Sequence, residues 1–403
     1  MIHSNESRQR LYALDNLRAA MMWLGIVLHV AVIHMAGPSL LPWRDNQTTP
    51  AADLLVAFIH AFRMPVFFIL AGFFVALLID QRGPTATVKH RLRRLALPFA
   101  VFWPPLFLAC SVLALVFLHR MARGTWGLDL GLSPIEMNGS QGAPNTLHLW
   151  FLWLLLWLSL LTPLMQMLMR RLVPSTGPTL GRWLAAMGRT PWGIAGLAAT
   201  LAAVGLPYGN GLVRPGNAFF PPWTEWAHSG LFYVFGLVLY AHRQVLLTHY
   251  MRRWSWYAGA GLVLFLASGV VLEKVPAELR DAMPLEARLA FSWAYNATAW
   301  CWSFALIGAF STYLGRPSRT MSYLADSSYW VYLVHLPLTI GFGVLLFGLP
   351  WPAGVKMVAN ILATTALSLV TYHWLVRFTA VGVLLNGRRQ ELTQKRSGAI
   401  PTS

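Results

Sequence analysis

A chain of 403 residues that is 56% hydrophobic and 11% charged, with 19 Trp and 22 Phe, is too apolar for a soluble domain and reads as an all-α polytopic integral membrane protein. Its formal charge of +17 does not imply nucleic acid, because the basic residues are scattered between apolar runs with no basic groove or aromatic-basic module. Cys110 and Cys301 both fall inside apolar runs and read as small buried hydrophobes, neither a disulfide nor a metal pair.

Apolar runs at 17–36, 53–79, 95–118, 147–169, 190–206, 229–247, 256–272, 291–313, 323–347 and 355–377 predict ten membrane spans. Arg8 and Arg10 ahead of the first run resemble a secretory signal. His29 and His34 interrupt its hydrophobic region, however, and no small-residue cleavage site follows, so the first helix is expected to stay. With a cytosolic N-terminus, and with basic residues at the ends of runs counted in the adjoining connections, 21 Lys and Arg fall in cytosolic segments and eight, Lys356 among them, in the opposite ones; the remaining two, Arg18 and Arg63, lie within spans. The positive-inside rule then places both termini in the cytosol.

The first span carries Arg18 at its start and His29 in its interior, where each ionisable group is costly unless it faces protein or water. The two are eleven residues apart, three helical turns, so both point the same way about 16 Å apart along the axis. Asp15 lies on that face too. This pattern predicts a cleft leading a charged molecule from the cytosolic edge to a reactive centre. The alternative is an Arg snorkelling to headgroups and a His bonded to a carbonyl.

In the second span His60 and Arg63 are i, i+3 neighbours, with Asp53 seven residues before His60 and Pro65 just beyond. His60 and Arg63 are expected about 10–15 Å below the outer surface, the level of His29, so the three are predicted to line one cavity. A structural pairing of Arg63 with helix-end carbonyls or with Asp53 is the other reading. Before the third span, Lys89 to Arg94 suffices as a positive-inside stop; functionally, Arg91 and Arg94 at i, i+3 can hold the phosphates of a soluble cofactor.

Outer loops at 119–146 and 207–228 are rich in Gly, Pro, Asn and Trp, and the mixed-charge segment 273–290 is expected to form a short solvated helix. His148 is expected at the outer end of the fourth span and His335 mid-span in the ninth, one turn after Tyr332, where Pro337 frees a carbonyl that can accept from the His335 ring. A membrane domain over 1–385 and a polar, disordered tail over 386–403 complete the chain. No H-E-x-x-H, Cys/His cluster, G-x-S-x-G elbow or Gly-rich phosphate loop is present, so an enzyme built from these residues uses His as base and arginines for phosphates, with no metal.

Asp15-x-x-Arg18 followed by His29 resembles the opening signature of the acyltransferase-3 family of membrane acyltransferases. Phe58-Ile-His60-Ala-Phe-Arg63-Met64-Pro-Val-Phe67-Phe68, His148-Leu-Trp150-Phe151-Leu152 and Tyr332-Leu-Val-His335-Leu-Pro337 are similar to further blocks of its glucan branch. The resemblance covers residues 10–380. It implies a multi-pass enzyme of the bacterial inner membrane that moves an acyl group, succinyl in the glucan branch, from a cytosolic acyl-CoA to a periplasmic glucan or other glycan. No permanently bound cofactor is expected; the acyl-CoA, such as succinyl-CoA, is a co-substrate. The expected catalytic residues are His29, Arg63, His60 and His335, the donor-binding residues Arg18, Arg91 and Arg94, and the acceptor-side residues His148, Tyr332 and Asp53. Ala71 stands where the family commonly has Ser, and Leu336 where the glucan branch often has a second His. The rival class is a transporter of a small anion or lipid-linked sugar. Against it, no Asp or Glu lies near the middle of any predicted span, where coupled carriers place one.

Overall fold

Chain in contact with lipid must satisfy its backbone N–H and C=O groups internally, so apolar runs of this length fold as helices. The computed structural model describes residues 2–128, 144–172, 176–214 and 216–387. Its helices are α1 (Ile2–Ile33), α2 (Pro50–Arg82), α3 (Pro84–Arg91), α4 (Leu97–Arg123), α5 (Trp150–Leu172), α6 (Thr176–Met187), α7 (Pro191–Val204), α8 (Trp223–Ala241), α9 (Arg243–Glu273), α10 (Leu285–Tyr313), α11 (Arg319–Leu346), α12 (Ala353–Thr371) and α13 (Ala380–Asn386). A π-helical turn, Leu92–Ala96, carries α3 into α4, and a second, Tyr372–Val376, extends α12.

Among the described residues, seven segments are long and apolar enough to cross a bilayer: the apolar part of α1, then α2, the continuous stretch from α3 through α4, α5, α9, α11 and α12. Helices also stand at the other three predicted spans. α8 and α10 are more polar, and α10 hides Ser292, Asn296, Thr298, Ser303 and Ser311 inside the bundle. α7 has 14 residues, about 21 Å of helix against a hydrocarbon core of about 30 Å.

Several boundaries differ from the sequence reading. The break expected around 248–255 falls instead at His242, and α9 runs unbroken through Arg252 and Arg253 because Tyr250 and Tyr257 on the same stretch are buried against Phe304. The stretch 170–189, read as a connection, contains α6. Between Pro276 and Pro284 the expected short helix reduces to one 3-10 turn, Ala277–Leu279. α13 reaches Asn386, and the rest of the predicted tail lies outside the described residues, as does much of the outer loop 119–146.

Glycines mark the closest helix crossings. A Cβ on Gly72 of α2 would overlap the Tyr233 carbonyl oxygen of α8, and one on Gly236 of α8 would overlap that of Ile69, so the two backbones touch reciprocally. Gly308 of α10 meets the Tyr250 carbonyl of α9 in the same way. Around α8 and α10 the core is aromatic, with the Phe232 and Trp300 rings 4.3 Å apart. Cys110 and Cys301 are buried and unpaired.

The segment after α1 folds over its outer end. Asp45 N–H donates to Ile33 O (2.8 Å) and Thr49 N–H to His34 O (2.9 Å). The sequence reading put Lys356 in an outer connection; it lies one turn inside α12 instead, fully buried, with its Nζ 2.7 Å from Asp45 Oδ1 and 3.1 Å from Asn46 Oδ1. Both charges have left water, so their mutual attraction offsets a large desolvation cost. Lys356→Met strands the Asp45 carboxylate and is expected to cost about 3–5 kcal/mol, read as a lowered unfolding temperature in detergent. Adding Asp45→Asn should recover much of that loss.

Candidate active site

Three histidines and one arginine converge from four parts of the chain. The His335 ring, midway along α11, stands 5.0 Å from that of His29 on α1 and 5.1 Å from that of His148, centroid to centroid. Arg63 reaches across from α2, and its Nε donates to the Met21 carbonyl of α1 at 2.9 Å. Room for this comes from Gly25: a Cβ there would lie 2.5 Å from Arg63 Nη2 and 3.3 Å from His335 Nε2.

Backbone carbonyls fix two of the imidazoles. His335 Nδ1 donates to Tyr332 O (2.7 Å) and Val331 O (3.1 Å), which puts the proton on Nδ1 and leaves Nε2 buried without a partner. His148 Nε2 donates to Tyr332 O and Leu333 O, both at 3.1 Å, and its Nδ1 is buried and unpartnered. The Tyr332 hydroxyl returns a hydrogen bond to His148 O at 2.7 Å. Pro337 does free a carbonyl, that of Leu333 four residues earlier, but His148 takes it and the His335 ring does not.

His148 is at the start of its helix as expected, yet level with the middle of α11. The chain before it is anchored at that level: Trp103 on α4 donates to Asn145 O (3.0 Å), Thr146 N–H donates to Asn217 O (2.7 Å), and Asn145 Oδ1 accepts from Leu147 N–H (2.9 Å). Leu147, next to His148, has φ 51°, a left-handed conformation that costs a non-glycine residue energy. Non-helical backbone at this depth is tolerated where protein surrounds it, and Asn145, Thr146, His148 and Leu149 are all buried.

His29 is half-buried, and among the described residues neither of its ring nitrogens has a hydrogen-bond partner. It lies within electrostatic range of His335, Arg63, His148 and His60. His60 is exposed on α2, in range of Arg63 one turn away. His29 and His60 thus both lie within electrostatic range of Arg63. Asp53 does not join them: its two carboxylate oxygens accept from the amides of Ala36 (2.8 Å) and Gly37 (3.0 Å), closing the turn after α1. It does not pair with Arg63, whose partner is the Met21 carbonyl.

Toward the start of α1, on the face of His29, Arg18 pairs with Asp15 at 2.9 Å and lies 5.9 Å from the centre of the Phe74 ring of α2. Arg91 and Arg94 both feel the Arg18 charge, so the three expected donor-binding guanidiniums share one locality, in which Asp15 pairs with Arg18. The π turn at Leu92–Ala96 widens the backbone between Arg91 and α4, a device that re-aims side chains. Arg91 Nε is buried and unpartnered, while Arg94 Nη1 donates to Leu384 O of α13 at 3.4 Å.

Sequence reasoning missed Gly25, Asn145 and Leu147. A glycine one turn before His29 was a readable signal for the first; nothing local announced the other two.

A family model described as an acyltransferase domain matches residues 11–373, and the chain belongs to this family: it is a multi-pass membrane acyltransferase. It is similar to glucans biosynthesis protein C of Shigella dysenteriae serotype 1, 32% identical over 150 residues, and to that of Salmonella heidelberg, 34% identical over 149 residues. These matches cover 37% and 36% of this chain and the same shares of the two relatives, so the chain matches little more than a third of their length. No solved structure matches it.

Pro337→Ala restores an N–H that competes with His148 for Leu333 O. Activity is expected to fall several-fold while membrane abundance holds, measured as acyl transfer per unit of inserted protein.

Proposed function

We propose that the protein transfers an acyl group, succinyl in the first instance, from cytosolic acyl-CoA to a hydroxyl of a periplasmic glucan, from a position in the bacterial inner membrane with both termini cytosolic. The observation that carries the chemistry is the convergence of an unpartnered His29, an Arg63 with free terminal nitrogens and a tautomer-fixed His335 at one level of α1. The glucan acceptor rests on the names of the relatives, and the donor on the cationic locality around Arg18.

His29 takes the proton of the acceptor hydroxyl as that oxygen attacks the thioester carbonyl. Charge develops on the carbonyl oxygen, where the Arg63 guanidinium, fixed by Met21 O, stabilises it. The C–S bond then breaks, and the departing CoA thiolate receives the proton held by His29. An imidazole suits both transfers because its ordinary pKa lies near the working pH. His335 Nε2, an acceptor facing α1, orients what lies between the two helices. Arg18, Arg91 and Arg94 hold the donor phosphates about 16 Å away along α1, a span comparable to an extended pantetheine arm.

His29→Ala is expected to reduce turnover by about 10² or more with the protein still inserted; full activity in that variant would end the assignment. Arg18→Lys keeps the charge and loses the fork. It should raise the KM for succinyl-CoA with little change in kcat, measured by release of CoA thiol. The donor decides the role of Arg63. If it reads the succinyl carboxylate, Arg63→Gln loses succinyl transfer and keeps acetyl transfer; if it serves the oxyanion, both fall together. Mass spectrometry of glucans from cells with and without the gene tests acyl group and acceptor at once.

A further inference from the structure

Gly25 lies in the interior of α1, one turn before His29 and on the same face. Alanine is the better helix former there, so a glycine needs a reason. At Gly72, Gly236 and Gly308 the reason is a neighbouring backbone: the missing Cβ would strike a carbonyl oxygen. Gly25 differs. The atoms nearest its missing Cβ are all side-chain atoms of the site, Arg63 Nη2 at 2.5 Å, Arg63 Cζ at 3.2 Å and His335 Nε2 at 3.3 Å.

We propose that Gly25 is a positioning residue whose bare Cα seats the Arg63 guanidinium against α1, beside His335 and one turn from His29. The inference rests on the acyl-transfer reading of Arg63 and adds to it the element that sets the guanidinium's place. Arg63 is held at two points: Nε is tied to Met21 O, and its terminal nitrogen lies in the hollow over Gly25. A methyl group in that hollow is relieved most cheaply by swinging the tip of the arginine, which costs the fold little. For the reaction the same swing is expensive, because transition-state stabilisation depends on where the donors point.

The test compares wild type, Gly25→Ala, Arg63→Gln and the double variant, each purified full-length in detergent, with succinyl-CoA as donor and glucan oligosaccharides as acceptor. Gly25→Ala should lower kcat by about 10²-fold, as misplacement near 1 Å does, and leave the KM for succinyl-CoA nearly unchanged. Its melting temperature should match or exceed wild type, and the double variant should be no slower than Arg63→Gln alone. Wild-type kcat in Gly25→Ala beside an impaired Arg63→Gln would overturn the proposal alone; wild-type kcat in Arg63→Gln would overturn the reading beneath it as well. Losses that multiply in the double variant would show that Gly25 acts elsewhere, and overturn it too. Should Gly25→Ala be unstable, Arg63→Ala removes the collision: stability regained in the Gly25→Ala/Arg63→Ala pair supports the seat, and instability that persists refutes it.

Discussion

One hydrogen bond organises the membrane interior of this enzyme: the Nε of Arg63 on α2 given to the Met21 carbonyl of α1. An arginine at that depth is tolerated only when protein groups replace its hydration. The bond does so without consuming the terminal nitrogens, which stay free for chemistry. It also fixes α2 against α1, the helix that carries His29 and Arg18, and so ties the reactive centre and the cationic locality to one rigid pair. Had Arg63 bonded to Asp53, as one reading of the sequence allowed, its charge would have been neutralised and the guanidinium drawn toward the outer end of α2.

The polar groups around this bond are supported by backbone more than by side chains. Val331, Tyr332 and Leu333 in α11 give their carbonyls to His335 and His148, and Pro337 is what leaves the Leu333 carbonyl available. Backbone acceptors suit this purpose in a low-dielectric interior, since they bring directionality without a second ionisable group. Tyr332 serves twice, through its carbonyl and through its hydroxyl to His148 O. The result is a pair of imidazoles whose tautomers are set by the main chain, with a third, His29, left free.

Much of this was legible in the sequence. Three helical turns between Arg18 and His29 placed them on one face, and i, i+3 spacing put His60 with Arg63; both relations hold because α1 and α2 are regular helices there. Failures came where regularity ended. Asp53 was assigned by helical face, but it lies in the first turn of α2, where backbone amides of the preceding loop compete for its oxygens. The depth of His148 depends on contacts to Trp103 and Asn217, 45 and 69 residues away in sequence, and hydropathy carries no information at that range. Helix α9 overran its predicted start because buried Tyr250 and Tyr257 outweighed the flanking arginines.

Because α5 begins level with the middle of α11, its positive dipole end, worth about half an elementary charge, opens toward His148 in the interior of the protein. It adds to the charge of Arg63, which acts on His148 at the same place. The centre of the bundle is therefore electropositive, with no carboxylate among the described side chains that contact it. Such a positive centre raises the barrier to cations entering between the helices while leaving anions free to approach.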